Sequence, residues 1–125
     1  MEQNDQNNQI NKRYDLSERT VKFAEDIIKF CKIIPENTIT KQIIIQLIKA
    51  GTSVGANYSE ADDAESKMDF KHKIGICKKE SREAKYWLKI INTACPLCKE
   101  KADMLWVEAK ELNLIFNSIN NKLKN

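Results

Sequence analysis

Five cations stand at helical spacing in the middle of the chain: Lys71, Lys78, Arg82, Lys85 and Lys89, separated by seven, four, three and four residues. On an α-helix that spacing sets all five in one row. Gly75 holds the remaining place, and no acid interrupts the row. Such a row can follow the phosphates of an RNA or DNA backbone by charge. No aromatic row is interleaved along it, so the expected contact depends on shape and charge, with little sequence preference. The plainer reading is a boundary stripe, with long stems lying over apolar surface and the charges in water.

Other reactive residues offer less. Cys95-Pro96-Leu97-Cys98 is a CxxC, but redox pairs of that form normally open a helix in a βαβ unit, and no strand pattern occurs here. All four cysteines are expected as free thiols, with Cys31 and Cys77 acting as small hydrophobes on apolar rows; zinc uptake or a Cys95–Cys98 disulfide would instead mark a thiol-based metal or redox module. In a bundle Cys31, Cys95 and Cys98 fall at one end and the single His72 at the other, one ligand short of a zinc site. No metal or other cofactor is therefore expected. His72, flanked by Lys71 and Lys73, has no place in a Ser-His-Asp or Cys-His arrangement, and no glycine loop could cradle a phosphate. The expectation is a protein that is not an enzyme.

The elements that carry the cations follow from apolar spacing. Beside the cationic row runs Phe70, Ile74, Cys77, Ser81, Ala84, Leu88, Ile91 and Cys95, alternating four and three without a break, as in a helix packed lengthwise on others. Ser66 caps this third helix, with Asp69 in its first turn, and Pro96 stops it after Ala94. It is roughly 40 Å long at 1.5 Å per residue. A first helix starts near Asp15, buries Leu16, Thr20, Phe23, Ile27, Phe30 and Ile34, and ends at Pro35.

A second helix starts near Thr40 and buries Ile43, Leu47, Ala50, Val54 and Ala61, with Ile44, Ile48, Gly51, Gly55 and Tyr58 on a neighbouring face. Gly51 and Gly55 each cost a helix roughly 1 kcal/mol relative to Ala. The usual offset is close approach of another helix backbone, and the competing reading is a kink near Gly55. A fourth helix runs from about Leu97 to Leu123 with Leu105, Ala109, Leu112, Phe116, Ile119 and Leu123 inward. Four helices with short connections predict an all-α, antiparallel up-down-up-down four-helix bundle. On the far side of helix three, Ile76, Trp87 and Ile90 form a further apolar strip, which an oligomer interface could use with the tryptophan as anchor.

Composition sets the outer bounds. The 125 residues make one domain, expected over 15–125 behind a disordered polar leader at 1–14. Net charge is +3, too modest to demand a nucleic-acid partner without the local row. No apolar run approaches the roughly 20 residues of a membrane span, and the Asn- and Gln-rich start lacks a signal-peptide core. The chain reads as cytoplasmic, with no membrane partner.

Gly51-Thr52-Ser53-Val54-Gly55-Ala56-Asn57-Tyr58-Ser59-Glu60-Ala61 resembles the signature of the bacterial four helix bundle protein family. So do Ser66-Lys67-Met68-Asp69-Phe70, Lys79-Glu80-Ser81-Arg82-Glu83-Ala84 and Tyr86-Trp87-Leu88. The likeness covers roughly Leu16 to Lys122, with Gly55 where many members carry proline and Ala61 where many carry glycine. That family includes proteins encoded in intervening sequences of large-subunit ribosomal RNA genes. It is also similar to the accessory variability determinants of diversity-generating retroelements. The resemblance implies a homo-oligomer, a ring-like pentamer with basic surfaces, and among the retroelement relatives a reverse transcriptase and nucleic acid as partners. Because Glu80, Arg82 and Glu83 belong to the signature, Arg82 or a neighbouring lysine is expected to pair with one of the two glutamates. Asn57 and Glu60, one turn apart, could join them in a structural polar network, with a ligand site as the alternative. The function expected is an accessory protein that self-assembles and binds nucleic acid through helix three. The alternative is an oligomeric scaffold for a protein partner.

Overall fold

The structure, a computed structural model, describes the backbone of residues 2–124 and the side chains of residues 16–124. Four helices follow one another: α1 (Glu2–Ile33), α2 (Thr38–Asp62), α3 (Lys67–Ala94) and α4 (Lys99–Lys122). A single 3-10 turn, Pro96–Cys98, separates α3 from α4. No strand occurs among the described residues, and the chain folds as an all-α four-helix bundle. None of its described helices is long and apolar enough to cross a membrane. The backbone of α1 begins at Glu2, ahead of the expected start near Asp15, while the side chains of the expected leader over 1–14 lie outside the described residues.

Helix ends follow local chemistry. Ser66 accepts a hydrogen bond from the Asp69 N–H at 3.0 Å and caps α3 as expected. At α2 the cap is Asn37, three residues before the expected Thr40. The Asn37 side-chain oxygen, Oδ1, accepts from the N–H groups of Ile39 and Thr40, each at 2.9 Å, while Thr40 Oγ1 accepts from the Asn37 N–H at 2.8 Å. Thr40 is thus the inner half of a capping box. Pro96 also moves the start of α4. Cys95, ahead of the proline, is driven into extended backbone, and one 3-10 turn follows before α4 begins at Lys99.

That turn corrects the free-thiol expectation for two cysteines. It brings the Cα atoms of Cys95 and Cys98 to 5.5 Å, and the two are joined by a disulfide. Cys31 and Cys77 remain free and buried, with their thiols pushed up to about 11 and about 12 by desolvation.

Packing follows the apolar rows. All six residues expected on the buried face of α1 are buried, as is the α3 row from Ile74 to Cys95, with Phe70 half-buried at its end. Helix α3 lies between α2 and α4, whereas α1 leans mainly on α2 and touches α4 sparsely. Helix α2 runs unbroken through both glycines, so no break occurs near Gly55. A Cβ at Gly51 would lie 2.9 Å from the Ile27 side chain, and one at Gly55 would lie 3.2 Å from the Thr20 carbonyl oxygen. The glycines therefore permit the close approach of α1.

Candidate nucleic-acid interface

The cationic row lies along the α3 flank that meets α4. Asn113 of α4 donates to the carbonyl oxygen of Lys78 at 2.8 Å and to Ser81 Oγ at 3.1 Å, which ties the row to that groove. Lys71, Arg82 and Lys89 are exposed, and Lys78 and Lys85 are half-buried. Among the described residues, none of the five makes an ion pair with a carboxylate. The described ion pairs neutralise other cations. Arg19 pairs with Glu108 and Glu111 between α1 and α4, and Lys99 pairs with Asp103. The Lys99 and Asn92 side chains on Asp103 hold its carboxyl below the usual range.

Tertiary packing adds residues that linear spacing missed. Trp106 of α4 sits half-buried beside the row, with the ammonium groups of Lys89 and Lys110 each 5.5 Å from its ring centroid. Both distances are in the range of cation–π attraction. Trp106 and Lys110 are one helical turn apart, so a cation–aromatic pair was visible in the sequence. That it faces Lys89 depends on how α4 is rotated against α3.

On the α2 side, the residues expected in one polar network are split. Asn57 spends its amide on its own helix, donating to the Ser53 carbonyl at 2.9 Å. Glu60 pairs with Lys73 at 2.6 Å, and that contact raises the Lys73 pKa. Neither Glu80 nor Glu83 pairs with Arg82 among the described residues. Arg82, two residues on, stands roughly 200° round the helix from Glu80, on the opposite side. Glu80 Oε2 is buried without a hydrogen-bond partner. Desolvation first, then the Glu83 charge, raises its pKa.

Two of the three residues expected at an oligomer interface also serve the chain's own core. Trp87 and Ile90 pack against it, while Ile76 lines a shallow cleft with Met68, Lys71 and Gly75. Large exposed apolar side chains occur on every helix, among them Val21 and Ile28 on α1, Ile45 and Ile48 on α2, Met68 and Tyr86 on α3, and Met104, Val107 and Leu114 on α4. Among the described residues, no group of three or more Cys, His, Asp or Glu is placed to hold a metal.

The bundle has a solved counterpart. It superposes with a TM-score of 0.76 on a crystal structure from Bacteroides thetaiotaomicron, described as a protein of unknown function from the S23 ribosomal protein family. The two are 28% identical, and the match covers 88% of this chain and 98% of that one. No curated protein matches the chain significantly. The sequence also matches a family description over residues 12–118, a span that holds every cation of the row together with Trp106 and Lys110. On that match the chain belongs to the 23S rRNA-intervening sequence protein family.

Proposed function

We propose that this chain is a non-enzymatic, self-assembling accessory protein that binds the backbone of RNA or DNA through the α3 row. One observation carries the reading: Lys71, Lys78, Arg82, Lys85 and Lys89 share a flank and none is neutralised by a described carboxylate. Cations left unpaired along about five turns of helix keep their charge available to phosphates. Self-assembly is supported by large apolar side chains exposed on two helices, Val21 and Ile28 on α1 and Met104, Val107 and Leu114 on α4. Contact between two unlike faces closes into a ring when the rotation permits, and a ring of five is the assembly implied by the resemblance. Such a ring would repeat the row and raise avidity without any new contact.

The test is a titration of structured RNA and duplex DNA at low and moderate salt, with the mass of the protein measured in parallel. An oligomer whose affinity falls steeply with salt is expected. Replacing Lys78, Arg82 and Lys85 together by Glu should abolish that affinity. Unchanged affinity in this variant overturns the proposal. An oligomer indifferent to both nucleic acids would instead be a scaffold for a protein partner.

A further inference from the structure

Resting on the reading of α3 as a nucleic-acid contact, we propose that the preferred ligand is a single strand with unpaired bases. The proposed base-stacking site is a shallow cleft between α2 and α3. It has a volume of about 510 Å³ and is lined by Gln46, Lys79, Arg82, Glu83, Tyr86 and Trp87. Tyr86 is 57% exposed, has no hydrogen bond among the described residues, and lies in a T-shaped contact with Trp87, ring centroids 5.0 Å apart. Trp87 is itself anchored against the core and buttresses Tyr86 through that edge contact, so Tyr86 is the ring offered to a base.

The chemistry around the platform suits a nucleotide. Arg82 belongs to the cationic row and to the cleft, so a strand whose phosphates follow the row passes the cleft mouth. Lys79 supplies a second cation there. Gln46 offers both a donor and an acceptor, and the Glu83 carboxylate accepts from an exocyclic amine while disfavouring phosphate at its own end. Base on aromatic, phosphate on Arg or Lys is the pattern of single-strand binding. A duplex cannot use it, because its bases are already stacked and paired. Trp106, on the other side of the row, is the weaker candidate because two ammonium groups already lie over its ring.

The experiment is a fluorescence anisotropy titration of the full chain with a labelled single-stranded oligoadenylate, as RNA and as DNA, and with the corresponding duplexes. Single strands of either sugar should bind about tenfold tighter than duplexes. Tyr86→Ala, at an exposed position, should lose about tenfold for single strands only, because a neutral ring releases no counterions and leaves duplex affinity and salt slope unchanged. Tyr86→Phe should restore binding. Equal affinity for strand and duplex, or a Tyr86→Ala variant that binds single strands normally, overturns this inference. The charge reading survives that result if replacing Lys78, Arg82 and Lys85 by Glu still abolishes binding. A protein that binds no nucleic acid at all overturns both.

Discussion

The α1–α2 and α3–α4 seams close the same bundle by different means. At α1–α2 the contact around the two glycines is one of shape: Gly51 and Gly55 leave room for Ile27 and Thr20. At α3–α4 the contact includes polar links, through Asn113 to Lys78 and Ser81 and through Asn92 to Asp103 at 3.1 Å. At its two glycines the first seam tolerates little added volume. The second carries cations and an aromatic ring at its rim, where packing demands are lower. Phosphate contact is therefore expected along the rim of the polar seam, and stability where the seam is tight.

The sharpest way to break this contrast is to add one methyl group to the tight seam. Gly51→Ala should destabilise the fold by about 2 kcal/mol, since overpacking of a filled core outweighs the gain in helix propensity. Denaturant unfolding would read it, and an Ala variant as stable as the parent would show that Ile27 can move aside. Asn113→Ala tests the polar seam, and should cost about 1 kcal/mol for its lost hydrogen bonds. A loss exceeding that of Gly51→Ala would reverse the ranking of the two seams.

Glu80 sharpens the comparison from the α2 side of the same helix. Its folded pKa is raised, so the stability it contributes is present while the carboxyl is protonated and is lost as pH rises through that pKa. Glu80→Gln removes the charge. It should raise the melting temperature near neutral pH and change it little near pH 4, where the parent carboxyl is already protonated. A pH-independent effect would argue that the orphaned oxygen, not the charge, sets the cost. The smallest expected effect is at Gly75, where an added Cβ meets nothing within 4 Å. Gly75→Ala should stabilise by somewhat under 1 kcal/mol. Gly75→Lys fills the empty place in the row and should tighten nucleic-acid binding modestly, read by the same titration.

Much of the fold was legible from spacing. The buried faces of α1 and α3 follow from apolar residues at threes and fours, because a helix in a bundle must bury one stripe. The Ser66 cap and the stop at Pro96 were likewise local, since both act within a few residues. The α2 start was misplaced because Asn37 and Thr40 are both good capping residues, and only the backbone of Asn37, extended before the helix, decides between them. The Cys95–Cys98 pairing escaped for a similar reason: it depends on the 3-10 geometry that Pro96 imposes.

What the sequence determined by itself was periodic: four amphipathic helices, one of them bearing an unbroken cationic row beside its core seam. A repeat of three and four needs no knowledge of neighbours, because the helix alone brings those side chains together. Tertiary structure decided everything that depends on which helix lies beside which face. It put Trp106 and Lys110 next to Lys89, set Gln46 beside Tyr86 and Trp87, and divided Asn57, Glu60, Glu80 and Glu83 among separate contacts. Those neighbours follow from the rotation of each helix about its axis, which the packing of the whole core selects and no local spacing encodes.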